Sequence, residues 1–169
     1  MTESSIRFTF GESSLGQVLV AAGDKGISAI LFGKDRSSLR DELMDCLPDA
    51  RPASKPSEDL GEVVEKVIGL IEAPKTRPDL RLDLQGSEFE RRVWALLLEI
   101  PAGETTSYGA IAKKLGGAAT AQEVAAACAA NRHAVAIPCH RVLKADGSIS
   151  GYRWGVARKR ALLAREALR

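Results

Sequence analysis

Three short apolar runs open the chain, and glycine-containing turns separate them. They cover residues 6–10, 16–22 and 26–32, and they are rich in β-branched and aromatic side chains. Runs of this length, joined by turns such as Gly-Asp-Lys-Gly at residues 23–26, are typical of paired strands. We therefore expect a hairpin or meander at the start of the chain.

Apolar residues then recur at helical spacing in two segments. A first helix is predicted over residues 37–47, where Ser37 or Ser38 can cap its start. A second apolar face covers residues 60–71 and stops before the helix breaker Pro74. The first half thus combines strands with helices.

A loop and one more strand complete the first half. Residues 48–57 are rich in Pro, Ala and Ser, which predicts a loop. Leucines alternate with polar residues over residues 80–84, which predicts a strand with one buried face. The first half is therefore expected to be a small α/β unit.

The second half has a mainly helical pattern. Residues 87–100 predict a helix that starts with a capping box of Ser87 and Glu90 and ends at Pro101. Near the end of the chain, residues 156–168 predict another helix.

Two helices between these have helix-turn-helix spacing. Ser107 can cap a helix that extends to about Leu115, Gly116 and Gly117 form a turn, and a second helix covers residues 120–131. A plain helical hairpin buried in a core has the same spacing. The second helix is nearly all alanine, so its backbone can lie close to a grooved partner or to another helix.

Composition and charge narrow the class of protein. The chain has 169 residues, of which 45% are hydrophobic and 27% charged, as in ordinary globular proteins. Residues 1–85 carry 11 Lys and Arg against 15 Asp and Glu, whereas residues 86–169 carry 13 against 7. A basic half suggests a polyanion such as nucleic acid, although a lopsided, solvated surface explains the same charges. The composition changes near Gly86, so we expect two domains, residues 1–85 and 86–169.

No targeting or membrane signal is recognisable. The N-terminus lacks a basic stretch followed by an apolar run, and nowhere do about 18 apolar residues follow one another. Cys46, Cys128 and Cys139 are an odd number of cysteines without a C-x-x-C pair, which argues against a disulfide framework and a zinc site. We expect a cytoplasmic protein with reduced thiols, no metal and no membrane association.

One segment places three reactive groups together. Residues 137–142 read Ile-Pro-Cys-His-Arg-Val, so Cys139 lies beside His140 and Arg141. Such neighbours stabilise a thiolate, the nucleophilic form of cysteine, although a small buried core cysteine is the alternative. Adjacent side chains can point in opposite directions, so a water could connect the two groups. Glu166 is a candidate third member that would orient the imidazole.

Longer motifs surround this cysteine. They are Pro-Cys-His-Arg-Val at residues 138–142, Ser-Gly-Tyr-Arg-Trp-Gly at residues 150–155, Lys159, Leu-Leu-Ala-Arg-Glu-Ala at residues 162–167, Ser107-Tyr108 and Ala-Ala-Asn at residues 129–131. Together they resemble the O6-alkylguanine-DNA alkyltransferase family, most closely the C-terminal methyltransferase half of the bacterial Ada proteins. A weaker pattern from Arg7 to Leu84 extends the similarity over almost the whole chain.

This resemblance implies a fold and a function. The implied fold is an α/β ribonuclease H-like N-terminal domain followed by a mainly α C-terminal domain with a helix-turn-helix. The implied function is direct-reversal DNA repair, in which a methyl or small alkyl group moves from O6 of guanine, and also from O4 of thymine, to Cys139. The protein would be a bacterial monomer that binds double-stranded DNA in the minor groove, flips out the alkylated base, uses no cofactor and acts once per molecule.

The resemblance also assigns roles to individual residues. Cys139 would accept the alkyl group, His140 would take its proton through water, and Glu166 would orient His140. Asn131 would brace the active-site turn. Tyr108 would rotate the target phosphate and help to protonate the departing guanine.

Two further sets of residues follow from the same resemblance. The predicted DNA-binding residues are Tyr108, Ala121, Gln122, Ala125, Ala129, Arg132 and Arg141. The predicted substrate-pocket residues are Val142, Tyr152, Arg153 and Trp154. The indole of Trp154 would favour methyl over bulky adducts, and simple packing of a loop is its alternative explanation.

The sequence departs from the family at one position. The family has an arginine nine residues before the position of Asn131, and this arginine fills the space left by the flipped nucleotide. Here that position is Gln122, which lacks the charge and the planar fork of arginine. Glu123 follows it and would oppose phosphate binding. We therefore expect weaker DNA binding or different sampling of bases.

Two other functions remain open from the sequence. A non-catalytic protein that binds alkyl lesions would lack the acceptor cysteine, and Cys139 is present. A transcription regulator activated by methylation would require a separate cysteine-rich zinc domain, so this chain would be a fragment of such a regulator or a stand-alone relative.

Overall fold

The computed structural model describes residues 6–54, 60–76, 78–149 and 151–167. Residue contacts group the chain into two compact units that divide between Leu84 and Gln85. The predicted boundary between residues 85 and 86, and the role of residues 86–169 as the DNA-binding and alkyl-acceptor domain, stay predictions. Three parts of the predictions lie outside the described residues: Ser150 of the Ser-Gly-Tyr-Arg-Trp-Gly motif, Leu168 of the last predicted helix and residues 55–57 of the predicted loop.

The first unit is built on the predicted meander. Strands β1 (Arg7–Ser13), β2 (Gly16–Gly23) and β3 (Gly26–Gly33) are antiparallel neighbours. A two-residue strand, β4 (Arg51–Pro52), pairs parallel with β1, so the order in the sheet is β3-β2-β1-β4. The strand prediction for the meander is confirmed, and the predicted loop at residues 48–57 contains β4.

Two helices cover apolar positions of this sheet. Helix α1 (Arg36–Cys46) buries Leu39 and Leu43, and helix α2 (Gly61–Glu72) buries Val64, Val67, Leu70 and Ile71. Helix α2 lies so close to β1 that a Cβ on Gly11 would be 2.7 Å from Val64 Cγ1. Only glycine fits this approach without a shift of the helix. Burial of these apolar faces is the main force holding the unit together.

Two local predictions for this unit are wrong. Helix α1 is capped by Asp35, whose carboxylate accepts a hydrogen bond from the Ser38 backbone at 2.8 Å, rather than by Ser37 or Ser38. Residues 80–84 do not form the predicted strand, because only a single parallel bridge joins Leu82 to Ile27. Their leucines are half-buried, so the alternation reflects partial shielding rather than full pairing in the sheet.

In the described part of the second unit there are four α-helices and a small parallel sheet. The helices are α3 (Glu88–Leu97), α4 (Tyr108–Leu115), α5 (Ala121–Ala129) and α6 (Val156–Glu166). Strands β5 (Thr106–Ser107) and β6 (Val142–Leu143) form the sheet. None of the helices within the described ranges is long and apolar enough to cross a membrane.

Side-chain caps begin three of these helices. The predicted capping box of Ser87 and Glu90 is present, and Ser107 caps α4 as predicted. Thr120 and Glu123 form a second capping box at the start of α5. Each cap satisfies backbone donors that the first helical turn leaves unpaired, which fixes where the helix begins.

The predicted fold class, a ribonuclease H-like domain followed by a mainly helical domain, is wrong. The sheet of the first unit is an antiparallel meander extended only by the two-residue strand β4, and residues 80–84 add no further strand. The second unit contains strands as well as helices.

A tryptophan fixes the end of helix α5. Trp94 is 2% exposed, and its indole nitrogen donates a 2.9 Å hydrogen bond to the backbone oxygen of Ala127. The chain then leaves the helix through a 3.2 Å bond from the Asn131 backbone nitrogen to the Cys128 oxygen. The helix end is therefore anchored directly before residue 131.

The assignment of the α1 cap can be tested by substitution. Replacing Asp35 by Ala should lower Tm by roughly 2 to 4 °C, because the first turn loses its acceptor. Ser37→Ala is the matched control and should leave Tm nearly unchanged. Thermal unfolding followed by circular dichroism measures both; an equal loss in the control would mean that Ser37 contributes to the cap.

Candidate functional site

A buried asparagine holds the turn that carries Cys139. The Asn131 amide nitrogen donates to the Ile137 oxygen at 3.0 Å and to the Cys139 sulfur at 3.3 Å. Its amide oxygen accepts from the His133 backbone at 2.8 Å. Asn131 is fully buried. One side chain thus satisfies backbone groups on both sides of the turn and touches the thiol.

The turn contains a strained residue. Val135 has a φ of 68°, and the Ala136 nitrogen donates to the Ala134 oxygen at 2.7 Å, which makes a γ-turn. A β-branched residue in this region costs on the order of 1 to 3 kcal/mol. A second tight turn follows at Pro138, where the Cys139 nitrogen donates to the Ile137 oxygen at 2.8 Å. The backbone then enters a 3-10 turn, Cys139–Arg141.

Glu166 joins the two residues that follow Cys139. Its carboxylate lies 2.6 Å from His140 Nε2 and accepts two hydrogen bonds from the Arg141 guanidinium, at 2.9 Å from Nε and 2.8 Å from Nη2. Arg141 Nη1 also donates to the Ile100 oxygen. All three side chains are buried, so this is an interior ion cluster with fork geometry.

The cluster sets the protonation of the histidine and the carboxylate. Burial raises the pKa of Glu166, but hydrogen bonds from His140 and Arg141 outweigh it and lower the pKa to about 2. Burial lowers the pKa of His140, against the opposing effect of Glu166. The hydrogen bond assigns the imidazole proton to Nε2, which leaves Nδ1 as an acceptor. Nδ1 is buried and has no hydrogen-bond partner among the described residues.

The thiol lies among donors and cations. Burial raises the pKa of Cys139, while the Asn131 hydrogen bond and the charges of Lys159 and Arg153 lower it. Lys159 is fully buried and donates to the oxygens of Val142 at 2.8 Å and Gly151 at 3.2 Å. Burial lowers the pKa of this lysine, and the nearby thiols raise it.

Lys159 was part of the family motif, but the sequence interpretation gave it no role. Its position on α6 carries a detectable signal, because Leu162 and Glu166 follow at helical spacing on the same buried face. A lysine on a buried face is rare unless its charge is used or paired. This pattern could have identified it as a site residue.

A cavity of about 710 Å³ in the second unit has Cys139 in its lining, although this residue is only 4% exposed. Most of the predicted residues line it together with Cys139, namely Tyr108, Ala121, Gln122, Ala125, Ala129, Tyr152 and Arg153. Cys128, Lys144 and Ala145 line it as well, although the sequence interpretation did not select them. Helices α4 and α5 thus form one wall, and the segment at residues 151–153 forms part of another.

Four of the predicted DNA-binding and substrate-pocket residues lie elsewhere. Arg132, Val142 and Trp154 are not among the residues that line this cavity. Trp154 is buried and packs edge-on against Tyr152, with ring centroids 5.4 Å apart. The prediction that Arg141 binds DNA disagrees with the structure, since the guanidinium is buried against Glu166 and cannot reach a phosphate.

Glu123 is also placed differently from the expectation. Its carboxylate accepts hydrogen bonds from the Thr120 backbone nitrogen at 2.9 Å and from the Thr120 hydroxyl at 3.2 Å. The charge therefore serves the start of α5, where the helix dipole favours an anion. Across the described residues, no three His, Cys, Asp or Glu side chains are grouped so that they could hold a metal ion.

Comparison with known sequences points to one family. A family model described as the DNA-binding domain of 6-O-methylguanine DNA methyltransferase matches residues 88–168. The bifunctional transcriptional activator/DNA repair enzyme Ada of Escherichia coli is 43% identical over 163 residues. That match covers 96% of this chain and 46% of Ada, so the chain spans about half the length of this relative.

Solved structures match over nearly the whole chain. Mycobacterium tuberculosis OGT in complex with DNA is 32% identical, with a TM-score of 0.79, and the match covers 95% of this chain and 92% of that one. The O6-methylguanine methyltransferase of the same organism is 32% identical, with a TM-score of 0.76 and coverages of 96% and 93%. These continuous matches support the corrected description of one mixed fold.

The ion cluster predicts a strong effect of Glu166→Gln on stability. The substitution leaves the buried Arg141 without its counter-charge, which should cost about 3 to 5 kcal/mol of unfolding free energy at pH 7. Because the pKa of Glu166 is lowered in the folded protein to about 2, this contribution is present above the unfolded pKa. The difference from the unmodified protein should therefore shrink as pH falls from about 4.5 towards 2.

Urea denaturation at several pH values measures this difference. Glu99→Gln, an exposed change in the same unit, is the control and should be near neutral. A small cost for Glu166→Gln at pH 7, or one independent of pH, would contradict the role assigned to the cluster.

Proposed function

The chain belongs to the O6-methylguanine-DNA methyltransferase family, and we propose that it repairs DNA by moving a methyl or other small alkyl group from O6 of guanine, and also from O4 of thymine, to Cys139. The observation that carries this proposal is a thiol at the wall of a cavity, hydrogen-bonded by Asn131 and followed by the His140–Glu166 pair.

The thiolate is the attacking group. Its sulfur forms a bond to the alkyl carbon while the bond from that carbon to O6 breaks, and the electron pair leaves with the guanine. Asn131 donates to the sulfur and Lys159 supplies a buried positive charge, so both favour the anion over the neutral thiol. The product is a thioether, which has no easy leaving group, so each molecule reacts once.

Proton transfer completes the balance. His140 Nδ1 takes the thiol proton through a water molecule, and Glu166 holds the ring so that Nε2 keeps its own proton. Tyr108 lines the cavity and gives a proton to the departing guanine. Asn131 acts as a brace that keeps Cys139 in its strained turn.

Access to the alkyl group requires the base to leave the helix. We place the minor groove of double-stranded DNA along α5, where Ala121, Ala125 and Ala129 allow close approach, and Gln122 fills the space left by the base. Tyr152 and Arg153 line the pocket, Arg132 binds the DNA, and the backbone at Val142 reads the base edge. Trp154 backs Tyr152 and limits the pocket to small adducts.

The other proposed functions are less well supported. A lesion-binding protein without chemistry has no use for Cys139 and the groups around it. A regulatory role is a property of the longer relative, of which this chain matches 46%. Because one chain supplies every group named here and the substrate is the chromosome, we propose a monomer that acts in the bacterial cytoplasm.

Mass spectrometry tests the proposed reaction. After incubation with a duplex containing O6-methylguanine, the intact protein should gain one methyl group, located on the Cys139 peptide. Cys139→Ser should gain none, whereas Cys128→Ser should still react, because burial raises the pKa of Cys128 to about 12. An unmodified protein, or methylation elsewhere, would refute the proposal.

Gln122→Arg tests the departure from the family. The added guanidinium should tighten binding to duplex DNA by about 1 kcal/mol, which is roughly fivefold in Kd, and should steepen the salt dependence. Gln122→Met, of similar size but without charge, is the matched control. Titrations at two salt concentrations measure both variants; equal or weaker binding of the arginine variant would count against this role for position 122.

A further inference from the structure

A short loop at residues 151–155, which we name the pocket loop, carries an arginine whose contacts are not used by the reaction as proposed. The loop is a tight turn, with the Gly155 nitrogen donating to the Tyr152 oxygen at 3.0 Å and a Gly155 φ of 100°. Gly151, Tyr152 and Arg153 line the cavity. The loop therefore forms part of the wall that faces the thiol.

Cations hold this loop in place. Lys159 donates to the Gly151 oxygen and to the Val142 oxygen, so one ammonium joins the start of the loop to the strand that follows the cysteine turn. Arg158 donates to the Trp154 oxygen at 3.0 Å. Both contacts tie the loop to helix α6, and the link through Lys159 lies next to the reactive segment.

Arg153 makes a second link to that segment. Its Nη1 donates to the backbone oxygen of Asn131 at 2.8 Å, and its guanidinium carbon lies 5.4 Å from the centroid of the Trp154 ring. Asn131 in turn donates from its side chain to the Cys139 sulfur. Arg153 therefore holds the backbone of the residue whose side chain bonds the sulfur.

We propose that Arg153 is a positioning residue that joins the pocket loop to the cysteine turn and holds Asn131 against Cys139. This proposal rests on the proposed function, because the thiol is taken to be the alkyl acceptor. The effect of these contacts on the reactivity of the thiol can nevertheless be measured without DNA. The planar guanidinium can bond the Asn131 oxygen while its face rests on Trp154, a combination that lysine cannot reproduce.

The charge of Arg153 acts on the same atom. The groups that interact with Cys139 are Lys159 from α6, Cys128 from α5, Tyr152 from the pocket loop, Asn131 and Arg153 itself. The two cations lower the pKa of the Cys139 thiol against the effect of burial. Arg153 is exposed, so solvent screens its charge more than that of the buried Lys159. The effect of Arg153 on the pKa of the Cys139 thiol should be measurable but smaller than that of Lys159.

The test measures thiol reactivity without DNA. The rate at which iodoacetamide modifies the Cys139 peptide is recorded from pH 5 to 9 by mass spectrometry, for the unmodified chain and for Arg153→Met and Arg153→Lys. Because burial raises the pKa of Cys139, the measured range lies below that pKa, and Arg153→Met should slow the reaction throughout it, by roughly three- to tenfold at pH 7, since less thiolate is present. Arg153→Lys should recover part of that loss, because the ammonium keeps the charge and one donor.

The matched control is Arg160→Met, which removes one exposed positive charge from α6. It should keep the profile of the unmodified chain. Affinity for undamaged duplex and methyl transfer are measured on the same proteins, and transfer by Arg153→Met should fall in parallel with the iodoacetamide rate. If Arg153→Met does not fold, Arg153→Gln replaces it.

Two results would overturn the proposal. An unchanged iodoacetamide profile of Arg153→Met is the first; if this variant also binds DNA more weakly, Arg153 is a phosphate contact. The second is an equally slowed iodoacetamide reaction in Arg160→Met, which would reduce the effect to general surface charge. Failure of the unmodified chain to accept a methyl group would refute the proposed function alone, because the iodoacetamide profiles do not depend on it.

Discussion

The geometry of the reactive segment depends on one buried amide. Asn131 is fully buried, and it pairs with the backbone on both sides of the turn as well as with the Cys139 sulfur. A buried amide left without partners would cost free energy, so the turn and the side chain stabilise each other. Trp94 anchors the helix that delivers this residue, and Arg153 contacts its backbone from the other side.

The buried charged groups around this amide have different partners. Glu166 neutralises Arg141 and orients His140, which leaves Lys159 as a buried ammonium whose described hydrogen bonds go to backbone carbonyls. A buried cation held by neutral acceptors is compensated when a nearby thiol becomes an anion. The carboxylate and the ammonium therefore have separate tasks, one in holding the imidazole and the other in favouring the thiolate.

Local signals in the sequence predicted the elements whose causes are local. Ser87 with Glu90 and Ser107 were identified as caps because a capping residue acts within one helical turn. Asp35 was missed because Ser37 and Ser38 are equally suitable in type, and only the backbone conformation selects among them. Residues 80–84 alternate like a strand, but pairing depends on a distant partner, and that partner makes a single bridge.

The site was predictable in its membership more than in its arrangement. Family motifs identified Cys139, His140 and Glu166, yet nothing in the order of residues indicates that Arg141 turns inward to Glu166, 25 positions away. The link from Arg153 to Asn131 spans 22 positions and is likewise a product of tertiary packing. The ribonuclease H-like description was taken from the family resemblance rather than from the residues, and it failed because the sheet extends the meander by only the two-residue β4.

Val135 has a consequence for the stiffness of the reactive segment. Its left-handed backbone would relax if the turn opened, whereas its side chain, 3% exposed, would lose its apolar surroundings by the same movement. The backbone strain and the apolar burial of this residue therefore oppose each other. The loop that presents the sulfur is thereby kept under tension, and it resists small displacements in a way that a relaxed loop of equal length would not.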